Sequence, residues 1–286
     1  MNNDFQRYAR IVAYNADGDN IYESEEGQRL RFEVSKNVKS APNHCSVMVY
    51  GIDKDEADAV LVYGSRIELY AGDYDTAGVI FRGSIVDGYY NNGDTPHLQL
   101  EALDGDSFYG SYINIAVGAG ETLQGVALRA AAMCSSPIAV GMVSNAASTI
   151  RLPRGCILFG STADALDGVA RAVNATWFIN DERLYLLTET DTQNGSEFEV
   201  DTDDDLLGAP AVDAWSIAFS HRINSRVILG ATVKFDDITV VAGAFRIVSV
   251  DIIGDTRDGE WRMNVWALRQ EQDSPSMTAL TRNIWR

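Results

Sequence analysis

The sequence RIELYAGDYDTAGVIFRGSIVDGYY, residues 66–90, has the pattern that decides the fold. Ile67, Leu69 and Ala71 alternate with Arg, Glu and Tyr, and a loop of Gly, Asp and Thr separates them from the apolar run 79–86. Alternation with period two is typical of a half-buried strand, and β-branched and aromatic residues favour strands. The stretch therefore predicts a long hairpin in an antiparallel barrel or sandwich, with glycines at turns or bulges.

The first third of the chain repeats this pattern. Further strands are predicted at residues 7–14, 29–34, 45–50 and 97–102, with one or two helical turns at 53–59. The clearest is 29–34, where Leu30, Phe32 and Val34 share one face and charged residues the other. About six strands joined by short turns indicate a small closed barrel or sandwich.

After residue 106 the pattern becomes helical. Residues 121–133 place Leu123, Val126, Ala130 and Met133 at helical spacing, which predicts a first helix. A second helix begins at the capping sequence 161–164, and its apolar residues are Leu166, Val169 and Val173. Strands at 176–179 and 184–187 flank Asn180-Asp181 and predict a hairpin. The middle of the chain is therefore expected to be a compact α+β module.

Strand patterns return after residue 200. They cover residues 225–230, 232–235, 238–241, 244–253 and 260–268, with a hairpin loop at 254–259. The sequence thus predicts a mainly β protein in which two β modules flank an α+β insertion. The expected divisions are 1–106 for the first β module, 107–200 for the insertion, 201–268 for the second β module and 269–286 for a C-terminal arm.

Composition excludes several classes of function. The chain has 286 residues, a length that fits about two domains, and carries 41 acidic against 23 basic residues, a formal net charge of −18. Nucleic-acid binding is not expected, because affinity for phosphates comes from Lys and Arg. No apolar run approaches the length of a membrane helix, and no signal peptide is recognisable at the start, so assembly in a cytoplasm is expected. The three cysteines and three histidines form no metal or disulfide pattern, so no cofactor is predicted.

Catalytic motifs are equally weak. Gly118-Ala-Gly120 precedes a helix, but Leu123 stands where a dinucleotide fingerprint needs its third glycine. Glu101, Asp104 and Asp106 are the candidate paired carboxylates of a glycosidase, although strand-end acids in so acidic a chain are ordinarily solvated. The acidic run 201–205, DTDDD, has the oxygen density of a calcium site but lacks the glycine and distal glutamate of an EF-hand loop. We interpret it as a solvated acidic loop.

The tryptophans indicate an interface. Trp261 and Trp266 are five residues apart in one predicted strand, so they point to opposite faces of a sheet. We expect one to lie in the core and the other to be exposed enough to anchor a partner. Trp285, in the C-terminal arm, is a third candidate. The alternative, that both strand tryptophans are covered within the monomer, stays open.

Four segments resemble the baseplate hub proteins of tailed bacteriophages, which are related to the hub part of type VI secretion spikes. They are IELYAGDYDTAGVIFRGSIVDG at 67–88, RGCILFGSTADALDGVARAVNATWFINDERLYLL at 154–187, DLLGAP at 205–210 and FRIVSVDIIGDTRDGEWRMNVWAL at 245–268. The 154–187 segment, followed by DLLGAP and GDTRDGEW, is the most specific. The resemblance covers most of the chain in the expected order.

The resemblance implies two tube-like β-barrel modules around the α+β insertion, and a homotrimer. Three chains would present six barrels to the sixfold tail tube, and the threefold underside would accept a spike or tail-tip protein and other baseplate proteins. It implies a structural virion protein of the tail baseplate rather than an enzyme. The loop with Asp73, Tyr74 and Asp75 is then the first place to expect a contact with a neighbouring subunit.

Two alternatives and one hypothesis accompany this interpretation. The chain could be a cell-wall hydrolase of the tail tip, with the acids around Asp104 as its catalytic groups. It could instead be a carbohydrate-binding β-sandwich that recognises the host surface through exposed tryptophans. If it is a hub, part of its acidic excess is expected to line a channel and repel passing phosphates.

Overall fold

A computed structural model describes residues 7–73, 77–193, 197–236, 241 and 243–270. Within these ranges the chain is mainly β, and helices are concentrated in its middle part. The mainly β fold with an α+β insertion is therefore confirmed. No helix in the described ranges is long and apolar enough to cross a membrane.

The first β region carries the hairpin predicted from residues 66–90. Its elements are β1 (Arg7–Tyr14), β2 (Asn20–Glu23), β3 (Leu30–Asn37), β4 (His44–Tyr50), α1 (Lys54–Val60), β5 (Arg66–Asp73), β6 (Gly78–Asn91) and β7 (His97–Leu103). Ile67, Leu69 and Ala71 of β5 are buried, in agreement with the alternation. Asp53 begins α1 with a capping box, accepting the Glu56 N–H at 2.8 Å.

The middle region is the α+β insertion. Its elements are α2 (Asp106–Tyr109), β8 (Tyr112–Val117), α3 (Leu123–Met133), β9 (Ala139–Val143), α4 (Ala146–Thr149), β10 (Cys156–Ser161), α5 (Thr162–Ala172), β11 (Ala175–Asn180) and β12 (Arg183–Thr188). Both predicted helices and the β11–β12 hairpin are present. One detail is wrong, because Met133, expected on the buried face of α3, is 56% exposed at the end of that helix. Strands β8, β9 and β10 were not predicted.

The second β region differs more from expectation. It contains β13 (Glu197–Val200), β14 (Ala211–Val212), β15 (Ser216–His221), β16 (Thr232–Phe235), β17 (Phe245–Asp255) and β18 (Trp261–Arg269). The predicted strand at 225–230 is wrong. That segment forms two consecutive turns closed by Val227 N–H to Asn224 O and Ala231 N–H to Ile228 O, and Gly230 has a φ of 77°. Residues 238–240 of another predicted strand lie outside the described part of the chain.

One continuous sheet joins the two β regions. Its described strands follow the order β14-β15-β18-β17-β3-β4-β7-β6-β5-β1-β2, with β16 and β13 branching from β17. The junction is the antiparallel pair β17–β3, in which Gly254 lies opposite Phe32. One buried apolar cluster spans both β regions, and a second fills the insertion. The path of described strands ends at β14 and β2 without closing on itself.

The β17–β3 junction depends on a glycine. A Cβ at Gly254 would overlap the ring of Phe32, which is 1% exposed and stacks edge-on with Trp261. We expect Gly254→Ala to lower the free energy of unfolding by about 2 kcal/mol, because overpacking a core typically costs ~1–3 kcal/mol. Denaturant titration of both proteins measures the difference.

Gly168→Ala is the matched control for Gly254→Ala. Gly168 lies in α5, and a Cβ there meets no atom within 4 Å. The control should raise stability by roughly 0.5–1 kcal/mol, since alanine is the better helix former. Equal effects of the two substitutions would show that the junction is not tightly packed at Gly254.

Candidate assembly surfaces

The strands from β14 to β6 present a polar face on the side opposite the core. Cross-strand register places Arg262, Ile253, Glu33, Ser46, Glu101 and Asp87 in one row of this face. A second row contains Ser220, Asn264, Asp251, Ser35 and His44. Most side chains of this face are hydroxyl, amide and charged groups, which favour contact with water.

The polar face is acidic. It carries the carboxylates of Glu33, Asp87, Glu101 and Asp251, against the guanidinium groups of Arg31 and Arg262. At its border Arg29 and Asp255 form an internally neutral ion pair at 2.7 Å. That pair and the N–H groups of Arg257 and Asp258 overcome the opposing effect of burial and lower the pKa of Asp255. An anionic ligand therefore meets a repulsive surface here.

Both ends of this eight-stranded section are open edges in the described structure. At one end, β14 pairs only with β15, and its Ala211 and Val212 are exposed. At the other end, the first half of β6 pairs with β5 and the Ile85 N–H bonds the Ser65 carbonyl, whereas residues 86–91 pair only with β7. Val86 and Tyr89 on that second edge are 46% and 53% exposed. Unpaired edges with exposed apolar side chains are where another chain can extend a sheet.

An apolar groove of about 630 Å³ lies beside the β14 edge. Its walls include Val38, Val212, Val248 and Trp266, and Lys39 and Asp213 supply charge. Trp215, 40% exposed, lies three residues after the end of β14. Aromatic side chains in a partly open groove are the usual anchors of protein interfaces.

The two strand tryptophans lie on opposite faces, as their spacing predicts. Trp261 is on the core side, edge-on to Phe32 with ring centroids 5.7 Å apart and below the Arg7 guanidinium. Trp266 is on the polar face, opposite Ala218 and Ser249, and lines the groove. Both side chains are partly buried and packed against the main apolar cluster, so a contact of Trp266 with a partner stays a prediction. Trp285 lies outside the described residues.

Asp73 is packed against the second β region. It ends β5, and its carboxylate is close to Arg222, Asp205 and His221. Burial raises the pKa of Asp73 above its usual value, with the Asp205 carboxylate acting in the same direction and Arg222 in the opposite one. At the other side of the hairpin, a Cβ on Gly78 would overlap Ser225. Tyr74 and Asp75, the other predicted contact residues of this loop, lie outside the described residues.

Asp104 has a structural environment that the sequence did not reveal. It is fully buried, and its carboxylate accepts the backbone N–H groups of Asp181 at 2.7 Å and Glu182 at 2.8 Å, with Asn43 at 3.4 Å. Asp181 and Glu182 form the β11–β12 turn with φ values of 51° and 60°, a conformation that normally favours Asn or Gly. Asp104 thus fixes a strained turn of the insertion to the end of β7.

The ion pair between Lys36 and Asp181 strengthens the same junction. The Lys36 Nζ lies 2.7 Å from an Asp181 oxygen, and both side chains are largely buried. Burial and the Asp181 charge raise the pKa of Asp104 to about 7, while Lys36 and the N–H donors favour the charged form. The network joins the first β region to the insertion.

The remaining candidate acids are exposed or bind only neighbouring residues. Glu101 is on the polar face, 2.8 Å from His44 and hydrogen-bonded to Ser46, whereas Asp106 is exposed at the start of α2. The Asp201 carboxylate accepts the N–H groups of Asp203 and Asp204, both at 3.0 Å, and closes its own acidic turn. In the described ranges, no group of three His, Cys, Asp or Glu residues is arranged to hold a metal ion.

Comparison with known proteins finds similarity in structure alone. No family model and no curated protein matches the chain. The tail protein from Neisseria meningitidis superposes with a TM-score of 0.60 at 12% identity, covering 92% of this chain and 97% of that one. The 43 kDa tail protein of prophage MuSo2 from Shewanella oneidensis gives a TM-score of 0.59 at 11% identity, covering 92% and 98%. The chain has the fold of phage tail proteins.

The tail-protein fold extends to secretion machinery. The c3393 protein of E. coli, a component of the type VI secretion system with structural similarity to the T4 tail proteins gp27 and gp5, superposes with a TM-score of 0.55 at 12% identity. The alignment covers 95% of this chain and 77% of that protein. The resemblance to baseplate hubs and secretion spikes, predicted from four segments, is thereby confirmed at the level of the fold.

The sequence missed one exposed surface of this tail-protein fold. Strands β8 and β10 pair as a separate two-stranded ribbon, whose outer side chains include Tyr112, Ile157 and Phe159. These are 71%, 71% and 83% exposed. The alternation Ile113, Ile115, Val117 in β8 was the available signal, since all three are buried.

Proposed function

We propose that this protein is a structural hub of a tail baseplate, in which three copies form a ring between the sixfold tail tube and the threefold tail tip. The observation that carries the proposal is the single sheet that joins two β regions within one chain and leaves open edges at β14 and at residues 86–91 of β6 in the described structure. Three chains with two β regions each supply six units to the tube. The fold itself then matches the sixfold tube to the threefold tip, and this role needs no catalytic group.

The open edges suggest how the ring closes. The β14 edge of one copy meets residues 86–91 of the next, a head-to-tail contact that closes after three copies. The groove at Trp266 and the exposed Val212 supply apolar area beside the hydrogen-bonded edge. Obligate interfaces of this kind commonly bury more than about 2,000 Å².

The polar face gives the ring a suitable channel. In a closed ring the part of this face outside the Trp266 groove lines the lumen, and its excess of carboxylates over guanidinium groups repels DNA phosphates. Nucleic acid can then pass without adhering, which agrees with the net charge of −18. The proposed location is the virion tail, after assembly in the host cytoplasm.

The proposed partners are the tail tube protein, a spike or tail-tip protein and other baseplate proteins. A chain of the Francisella PdpA-VgrG complex shares this fold, which supports partners of this kind. The proposed role is not enzymatic. Against the hydrolase alternative, Asp104 is fully buried and saturated with hydrogen-bond donors, so it is not positioned to reach a glycan.

Electron microscopy of the protein mixed with assembled tail tubes tests the proposal. We expect threefold particles that cap one end of each tube, with the polar face toward the lumen. The variant Trp266→Ala should reduce ring formation, and Leu128→Ala, which removes an exposed apolar side chain from α3 of the insertion, is the control. Tubes that stay uncapped at micromolar concentrations of both proteins would contradict the proposed function.

A further inference from the structure

The β8–β10 ribbon has an exposed apolar face that the proposed ring does not use. Tyr112 of β8 and Ile157 and Phe159 of β10 all point outward, and each is more than two-thirds exposed. Their inward neighbours Ile113 and Ile115 belong to the core of the insertion. Large exposed apolar side chains on a short ribbon commonly mark an interaction site.

The backbone of β10 is also available. In antiparallel strands, alternate residues direct both N–H and C=O away from the partner strand. The Thr162 N–H bonds the Ser111 carbonyl, so Thr162 and every second residue before it point their N–H and C=O groups toward β8. Ile157 and Phe159 occupy the positions between, and their N–H and C=O groups therefore point away from β8. No described strand pairs with that edge of β10.

The opposite edge of the ribbon is occupied. Tyr112 of β8 exchanges hydrogen bonds with Ser135, donating its N–H to the hydroxyl and accepting the Ser135 N–H. The Ala116 carbonyl accepts a hydrogen bond from Arg129. These contacts confirm the alternation deduced for β10 and leave β10 as the edge open to another chain.

Charge distinguishes this surface from the rest of the molecule. Residues 107–160 carry three arginines and one glutamate, in a chain whose net charge is −18. Arg129 is paired with Glu121 at 3.0 Å, whereas Arg151 and Arg154 are exposed just before β10. An acidic partner segment is therefore favoured over a basic one.

We propose that the free edge of β10 is a strand-addition site for an extended, acidic segment of another protein. The segment pairs its backbone with Ile157 and Phe159 and places alternate apolar side chains beside those two residues, while its carboxylates face Arg151 and Arg154. That this partner is a tail-tip protein rests on the proposed function. Strand addition itself does not, because it requires only one copy of the chain.

A synthetic peptide tests the site in the full-length protein. The probe is the acetylated and amidated peptide EVDIEVD, and its charge-reversed counterpart is KVKIKVK. We expect saturable binding of the acidic peptide in a calorimetric or anisotropy titration, and at least tenfold weaker binding of the basic one. Hydrogen exchange at the amides of Ile157 and Phe159 should slow when the acidic peptide is bound.

Three variants make the test specific. Ile157→Pro removes an N–H that β8 does not use, so it blocks the edge without breaking the ribbon. Phe159→Lys keeps the backbone but adds charge to the apolar face, and the control Tyr63→Lys makes the same kind of change at a fully exposed aromatic residue elsewhere. Both ribbon variants should bind the acidic peptide at least tenfold more weakly, and the control should bind it as the unaltered protein does.

Three results would overturn the assignment. They are absence of saturable binding at millimolar peptide, equal affinity of the ribbon variants and the unaltered protein, and self-association of the protein that Ile157→Pro abolishes. The last would identify a second copy of the chain as the occupant. A failure of ring formation together with successful peptide binding would contradict the proposed function and leave the strand-addition site intact.

Discussion

Replacing Asp104 with alanine is expected to lower the free energy of unfolding by about 3 kcal/mol, because buried donors left without an acceptor cost ~1–3 kcal/mol each. The variant deprives the N–H groups of Asp181 and Glu182 of their acceptor within a turn that already has positive φ values. Denaturant unfolding measures the loss. Asp106→Ala, which removes an exposed carboxylate two residues later, should cost less than about 1 kcal/mol and is the matched control.

The pH dependence of the same residue gives an independent test. Burial raises the folded-state pKa of Asp104 to about 7, well above that of the same carboxyl in the unfolded chain. Between these two pKa values the folded protein keeps a proton that the unfolded chain has lost. This contribution stabilises the protein at low pH and is lost as pH rises through about 7. We therefore expect the free energy of unfolding of the unaltered protein to fall relative to that of Asp104→Asn as the pH rises from 5 to 7.5. A difference that is constant over this range would contradict a raised pKa.

Val212→Lys is expected to dissociate the ring. Val212 is 47% exposed on the β14 edge, where the proposed contact with the next copy would bury the lysine charge. Truncation at the centre of an interface commonly costs ~2 kcal/mol or more, and a buried unpaired charge costs more still. The dissociation constant should therefore rise at least a hundredfold, which sedimentation equilibrium measures.

The control for the ring is Leu128→Lys. Leu128 is 42% exposed, comparable with Val212, but lies in α3 of the insertion and on neither open edge. Ring assembly should be unchanged in this variant. If Val212→Lys and Leu128→Lys both assemble as well as the unaltered protein, β14 is not part of the contact.

Local signals in the sequence were sufficient for many elements. The alternation in β5 and the side-chain caps of Asp53 and Ser161 are decided within a few residues, so they could be predicted. The spacing of Trp261 and Trp266 likewise determined that they face opposite ways. The signal for β15 was also present, since Ile217, Phe219 and His221 alternate and are buried, but Ser and Ala between them weakened it.

The junctions could not be predicted, because they depend on residues far apart in the chain. Asp104 meets a turn 77 positions later, and nothing near it in sequence shows that its carboxylate will be buried. The pairing of β3 with β17 joins segments separated by more than 200 residues, so the open edges become visible only when the strand order is known. The segment 225–230 has strand-like composition, but Asn224 and Gly230 favour turns and the sheet offers it no neighbour.

The molar mass of the purified protein in solution, measured by sedimentation equilibrium over nanomolar to micromolar concentrations, tests the central claim most directly. The ring predicts a single species of three times the 31.3 kDa chain mass at micromolar concentration, and its conversion to monomer by Val212→Lys. A strict monomer at every concentration, with or without tail tube protein, would contradict the account.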